Sequence, residues 1–283
     1  MQNKKIWFIT GASKGLGLAL VTQALQAGHK VAATSRNINA LEQGVANHPH
    51  FLPLQMDVTN EKSVAEAIAK AIAHFGRIDV VVNNAGYGLT GSLEELTDAE
   101  ARENFNINVF GSLNVIRTMM PFFRQQGAGH IFNISSIGGF TGNYPGFGIY
   151  CATKFAVQGF TESLHAEVKP FGINATVVSP GYFRTNFLEA DSLVTPKNEI
   201  AEYHEVREVQ SAHQHQINGN QPGDPVKAAH AIIAVAESAN PPLHLFLGQD
   251  AYDLAYQKMG RLTKDLECWR VVGTTTAFDE ITA

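Results

Sequence analysis

Between residues 6 and 179 this chain alternates short apolar runs with longer stretches of helical period, and that alternation leaves few folds open. A strand buried on both faces reads as a continuous apolar run, whereas a helix packed on a sheet carries apolar residues three and four apart. Segments 6–10, 31–35, 51–56, 79–82, 130–135 and 173–179 are of the first kind. Segment 14–27, with Leu16, Leu20, Val21, Ala24 and Leu25 in step, is of the second, as are 39–46, 98–126 and 150–169. A further helix, N-capped by Thr59 or Asn60, runs to Phe75 with Val64, Ala67, Ile68, Ala71 and Ile72 on its inner face. The proline at Pro121 predicts a break in the 98–126 helix. Strands alternating with helices of this length predict one doubly wound α/β sheet of parallel strands joined by right-handed crossovers, with helices on both faces.

The rhythm fails over residues 182–223, which are polar, include His204, His213 and His215, and end in a Gly-Asn-Gln-Pro-Gly-Asp-Pro cluster. This segment is expected to form a lid and pocket wall. Asp224-Pro225 then has the form of an N-cap followed by proline at the first helical position. A helix to Ala239, a seventh strand over 243–247 and a last helix from Asp250 to about Leu266 complete the expectation of about seven mainly parallel strands. No repeat or linker divides the 283 residues, so a single domain spanning 1–283 is expected.

Composition removes several function classes. The net charge is −5 and the longest basic run is Lys4-Lys5, which argues against nucleic acid as a partner. The apolar run 6–9 is too short for a signal-peptide core, and no later stretch has the length of a membrane span, so a cytoplasmic protein with no membrane partner is expected. Two cysteines, Cys151 and Cys268, read as reduced thiols rather than a disulfide framework.

Thr10-Gly11-Ala12-Ser13-Lys14-Gly15-Leu16-Gly17 follows the first strand directly and opens the first helix. Glycines there let the backbone bend sharply and approach a pyrophosphate, which free N–H groups and the dipole at a helix N-terminus stabilise. The spacing is G-x-x-x-G-x-G rather than the general dinucleotide fingerprint, and any tight strand–helix turn also favours glycine. The second strand ends Thr34-Ser35-Arg36-Asn37, without the carboxylate that would bond an NAD ribose hydroxyl. Arg36, and Lys14 within the turn, are either solvated surface charges or a pair suited to a 2′-phosphate; their location favours NADP(H) over NAD(H).

Tyr150 and Lys154 stand one helical turn apart on one face. A free phenol, with a pKa near ~10, is a poor base at neutral pH, and a neighbouring cation lowers that value. With these two motifs in place, the chain resembles the short-chain dehydrogenase/reductase family. Five features occur in order: Thr10 to Gly17, Asn83-Asn84-Ala85-Gly86, Ser135-Ser136, Tyr150-x-x-x-Lys154, and Ser179-Pro180-Gly181 followed by Thr185. The likeness is strong over residues 4–185, and the segment 150–164 resembles the branch that contains hydroxysteroid and retinol dehydrogenases.

This resemblance implies a Rossmann-type fold and an oxidoreductase acting between a carbonyl compound and its alcohol. Tyr150 would exchange a proton with the substrate oxygen, and Lys154 would lower the pKa of that phenol and bond the nicotinamide ribose. Ser136 would hold the substrate oxygen, and Asn108 would kink its helix and hold a relay water, its alternative being a solvated or capping amide. Asp57 and Val58 would border the adenine. Asn84, Ala85 and Gly86 would line the adenine-side ribose and the sheet edge, and Pro180, Gly181 and Thr185 the nicotinamide. Thirteen residues separate Ser136 from Tyr150, one more than the family's usual interval. An insertion near Asn143-Tyr144 accounts for this, and Ser135 stays open as an alternative to Ser136.

No metal is expected: His204, His213 and His215 lack a firm additional ligand and read as solvated loop histidines. Phe140, Tyr144, Phe147, Phe183 and Phe187 read equally as core or pocket wall, while Leu89, Phe183, Phe187 and Leu188 suit a hydrophobic small-molecule substrate. A homo-oligomer, dimer or tetramer, is implied by the family. The competing class is a regulatory protein that binds NADP without turnover, against which the intact set Asn108, Ser136, Tyr150 and Lys154 speaks.

Overall fold

The computed structural model describes residues 4–45 and 48–278. In chain order the strands are β1 (Ile6–Ile9), β2 (Lys30–Ser35), β3 (Phe51–Gln55), β4 (Val80–Asn83), β5 (Gly88–Leu89), β6 (Gly129–Ile134), β7 (Ile173–Pro180), β8 (Leu193–Val194) and β9 (His244–Leu247). The helices are α1 (Gly15–Gln26), α2 (Ile38–Gly44), α3 (Glu61–Phe75), α4 (Asp98–Phe105), α5 (Gly111–Gln126), α6 (Gly148–Val168), α7 (His204–Ser211), α8 (Pro225–Glu237) and α9 (Gln249–Thr274).

Seven strands lie side by side in the order β3-β2-β1-β4-β6-β7-β9, every neighbouring pair parallel. The central runs Trp7-Phe8-Ile9 and Val80-Val81-Val82 are fully buried, because both of their alternating faces meet helices. Trp7 and Ile9 point to the face covered by α1 and α8, where Leu20, Val21 and Ile232 pack. Phe8 and Val81 point to the other, against Ile68 of α3, Val115 and Phe123 of α5 and Leu164 of α6. The chain builds outward from β1 to β3, then crosses back to β4 and continues the other way. The resulting crevice at the carboxyl ends of β1 and β4 is where such sheets place ligands.

Local chemistry accounts for the boundaries. Asn60 caps α3 by accepting from the Ser63 amide at 3.0 Å, and Asp224 caps α8 by accepting from the Val226 amide at 2.8 Å, with Pro225 at the first position. Two expectations are corrected. Pro121 does not break its helix: it sits inside α5, held through the missing backbone bond by the buried face Val115, Met119 and Phe123. The interruption lies upstream, in a single π-helical turn at Asn106–Phe110. The last helix also runs past Leu266 to Thr274. Ala46, expected to end the second helix, lies outside the described residues.

The 182–223 segment is more ordered than its composition suggests. A bridge between Phe183 and Gly223 joins its two ends, β8 pairs in parallel with β5, and α7 continues into a π-helical turn at Ala212–Ile217. The guanidinium of Arg207 on α7 grips the buried carboxylate of Glu95 through Nη2 at 2.7 and 2.6 Å. Burial alone would raise the Glu95 carboxyl, but amide hydrogen bonds from Ile200 and Ser92, together with Arg207, hold it below its ordinary value. No helix among the described residues is long and apolar enough to cross a membrane.

Candidate active site

The turn after β1 is shaped by its glycines. Gly11 and Gly15 adopt φ of +62° and +59°, which other residues reach only with strain. A Cβ on Gly11 would come within 2.7 Å of the Ala85 backbone. Behind the turn, Asn84 holds it in place: its Nδ2 donates to the carbonyls of Thr10 and Gly11, both at 2.9 Å, while the hydroxyl of Thr10 accepts from the Asn84 and Ala85 amides. The side-chain amide of Asn84 is therefore spent on holding two loops together at the cleft wall.

At the end of β2, Arg36 is exposed, and its guanidinium makes no ion pair among the described residues. Lys14 differs from the sequence expectation of a free cation, since its ammonium pairs with Asp191 at 2.6 Å and so links the glycine turn to the 182–223 segment. Thr185 stands over the same turn, 3.5 Å from where a Cβ on Gly15 would lie. Asp57 accepts from the amide and hydroxyl of Thr59 at 2.9 and 2.8 Å, which fixes the wall beside Val58.

The π-helical turn positions Asn108, which is 1% exposed. Its Oδ1 accepts from the Tyr87 amide at 3.0 Å, and its Nδ2 donates to the Tyr87 carbonyl at 3.0 Å and the Thr153 hydroxyl at 3.1 Å. This side chain ties the loop after β4 to α6, with its Oδ1 2.9 Å from where a Cβ on Gly86 would lie.

The two serines at the end of β6 have separate fates. The hydroxyl of Ser135 is buried and donates to the backbone carbonyl of Lys154 at 2.9 Å. Ser136 accepts from the Gly138 amide at 3.0 Å and stands close enough to the Tyr150 phenol to pull its pKa down. Both serines line the cleft, but the Ser135 proton is committed to the Lys154 carbonyl, which favours Ser136 of the two alternatives.

Tyr150 and Lys154 both project from α6 into the cleft. The ammonium of Lys154 is 5% exposed, donates to the Ile134 carbonyl at 2.9 Å and lies 5.8 Å from the centre of the Tyr150 ring. Burial lowers its pKa to about 8. Burial also holds the Tyr150 phenol above its ordinary value; the Ser136 hydroxyl pulls it down, and Cys151, Tyr182 and Tyr144 push it further up. Burial is the largest of these causes, so the phenol lies above its ordinary value and not below it as the sequence led one to expect.

One cleft of about 720 Å³ is lined by every residue assigned a catalytic or cofactor-binding role by the resemblance except Gly17 and Asn108. Gly17 and Asn108 stand behind its wall. A Cβ at Gly17 would lie 2.5 Å from Asn84 Nδ2 and 2.7 Å from the Gly11 carbonyl, so this glycine serves packing. Of the aromatic set, Tyr144, Phe147, Phe183 and Phe187 line the cleft, whereas Phe140 packs edge-on against Phe246.

Among the wall residues that sequence reasoning gave no role are three polar ones. Tyr182, Gln221 and His213 come from the 182–223 segment, where spacing carries no chemistry. His213 is not the solvated histidine expected: it is buried, with Nε2 2.9 Å from the Tyr182 hydroxyl and Nδ1 2.7 Å from the Val209 carbonyl. Among the described residues no group of three or more His, Cys, Asp or Glu side chains is placed to hold a metal ion.

Comparison with known proteins adds an independent line. A family model for short chain dehydrogenase matches residues 5–193. The chain is 36% identical to the oxidoreductase BOA17 of Botryotinia fuckeliana over 275 residues, 96% of this chain and 99% of that one. A short-chain dehydrogenase structure from Streptomyces avermitilis superimposes with a TM-score of 0.89 at 37% identity, covering 98% of this chain and 100% of the other. The structure of ElxO with NADP bound aligns with a TM-score of 0.71 at 30% identity, over 87% of this chain and 97% of that one.

Proposed function

This chain belongs to the short-chain dehydrogenase/reductase family, and from that membership we propose an NADP(H)-dependent oxidoreductase that interconverts a carbonyl compound and its alcohol, with Tyr150 as acid/base. The observation that carries the reading is a single cleft in which a buried phenol faces a serine hydroxyl and has a lysine ammonium beside its ring.

The chain's own residues fit a dinucleotide. The Gly11–Gly15 turn lines the cleft directly before the N-terminus of α1, and its positive-φ glycines let the backbone approach where a pyrophosphate would lie. Arg36 suits a 2′-phosphate, in keeping with ElxO, which is solved with NADP. All of these line the cleft: Asp57 and Val58 would border the adenine, Pro180, Gly181 and Thr185 would flank the nicotinamide, and Lys154 and Tyr150 would hold its ribose. When bound, the reduced nicotinamide supplies the hydride.

In the reducing direction Ser136 and Tyr150 both donate hydrogen bonds to the substrate carbonyl oxygen. Tyr150 transfers its proton as negative charge gathers there; because burial raises its pKa, that release depends on Ser136 and the neighbouring Lys154. Lys154 stabilises the phenolate left behind across the 5.8 Å that separates it from the ring centre. In oxidation the same groups run in reverse, with Tyr150 taking the alcohol proton.

The test follows NADPH absorbance across aldehydes, ketones and quinones, repeated with NADH. Turnover that falls by roughly 10²-fold or more in Tyr150→Phe, with NADPH binding retained, supports the reading. Binding of NADPH without turnover of any carbonyl would instead mark a regulatory protein, and an undiminished Tyr150→Phe enzyme would remove the phenol from the chemistry.

A further inference from the structure

The substrate end of the cleft is largely aromatic. Phe187 lies 5.7 Å and Phe147 6.2 Å from Tyr150, ring centre to ring centre, and Leu89 and Leu188 complete the apolar wall. Polar atoms interrupt this wall at one place that the proposed hydride and proton transfers leave unused.

The His213 Nδ1 sits 2.7 Å from the Val209 carbonyl, which can only accept, so Nδ1 carries the ring hydrogen. Nε2 is then bare and must accept from the Tyr182 hydroxyl at 2.9 Å. That bond uses the only proton of Tyr182, leaving its oxygen lone pairs as an acceptor on the cleft wall. Beside it, the Tyr144 hydroxyl is buried with no hydrogen-bond partner among the described residues. Gln221 lies on the same wall, 2% exposed, with neither end of its carboxamide bonded. Its segment is tied to Tyr182 by the bond from the Gly223 amide to the Tyr182 carbonyl at 2.9 Å. A buried polar group without a partner costs about 1–3 kcal/mol, and several on one wall are retained where a ligand satisfies them.

Charge narrows the ligand. The groups that face Tyr150 electrostatically, Ser136, Cys151, Tyr182 and Tyr144, are all neutral. The one carboxylate acting on both Tyr144 and Tyr182 is Asp250, which already accepts from the Tyr182 amide at 2.7 Å and would repel an anion. An anionic group would find no counter-ion among these residues, and Asp250 stands off the cleft lining with one oxygen already bonded, so neither sign of charge is invited.

We propose that Tyr182, oriented by His213, together with Tyr144 and Gln221 forms a specificity subsite for a neutral hydroxyl or amide group on the carbonyl substrate. This rests on the hydride-transfer reading above and names its substrate class: uncharged carbonyl compounds with an apolar body and a second, hydrogen-bonding group. Tyr182 accepts from that group's O–H or N–H, and Tyr144 or Gln221 donates to its oxygen.

The test measures kcat/KM with NADPH for an aromatic ketone and a series of analogues carrying one hydroxyl stepped along the molecule. At least one hydroxylated member is expected to be preferred about tenfold, the equivalent of about 1.4 kcal/mol. Tyr182→Phe and Tyr144→Phe should each reduce that ratio several-fold. Tyr144→Phe keeps the test sound, because the hydroxyl it removes has no internal partner to lose. A purely structural role would lower both members of a pair in proportion and leave the ratio standing. An unchanged ratio in both variants, or a wild-type enzyme that reduces the series without preference, overturns the subsite while leaving the reaction intact. Failure to reduce any member overturns the reaction itself.

Discussion

The hydroxyl of Ser135 donates to the backbone carbonyl of Lys154 at 2.9 Å, so the serine that follows β6 ties that strand to the helix bearing Tyr150 and has its proton committed there. Its neighbour Ser136 is thereby left free to face Tyr150. On the proposed reaction, adjacent residues of identical chemistry would hold a positioning role and a substrate-facing role.

That division predicts opposite outcomes for two alanine substitutions. Ser136→Ala should lower kcat by roughly 10²-fold or more, the usual cost of losing a donor to a developing oxyanion, with little change in thermal midpoint. Ser135→Ala should cost about 1 kcal/mol of stability, as for a buried hydrogen bond, with a smaller effect on kcat. Steady-state kinetics and thermal unfolding of both variants separate the roles.

Lys154 carries a charge into a buried site, and its pKa is lowered to about 8. In the unfolded chain the group keeps its ordinary value of 10.5, so between these two pH values the unfolded state binds more protons than the folded one. Stability therefore receives a contribution that rises with pH from about 8 to 10.5. Lys154→Met should abolish this rise and lose turnover together. Thermal midpoints of the two proteins compared across pH 7 to 10.5 test it, and parallel curves would show the ammonium to be indifferent to folding.

Arg36 is free where Lys14 is held by Asp191. Arg36→Ala is accordingly expected to raise KM for NADPH by about 10- to 100-fold, the range of a hydrogen bond to a charged group, with little effect on NADH. Lys14→Ala should have the smaller effect on NADPH. Equal losses with both cofactors in Arg36→Ala would show that the guanidinium does not read the 2′-phosphate.

Arg207 neutralises Glu95 beneath the 182–223 segment. Arg207→Leu strands a buried carboxylate, which typically costs about 3–5 kcal/mol. Because the pair anchors α7, substrate KM should rise more than kcat falls, alongside a lower thermal midpoint. Restoring much of the stability in the double variant Arg207→Leu with Glu95→Gln would trace the loss to the unpaired charge.

The sheet, its flanking helices and most of the cleft-lining residues are legible in the linear chain, because each rests on local physics. Apolar runs bury on two faces, helical period selects one, and a glycine turn or a Tyr-x-x-x-Lys turn needs no distant residue to define it. The commitment of the Ser135 hydroxyl to the Lys154 carbonyl required α6 to pack against β6. The kink at Asn108 is implied by the family resemblance, but the partners that hold it, on Tyr87 and Thr153, required distant segments to meet. His213 gained a role only when α7 and its π-helical turn brought it to Tyr182, 31 residues away in sequence. In each case the outcome turned on which polar atoms burial forced together, and hydrogen-bond satisfaction across distant segments leaves no periodic trace along a single chain.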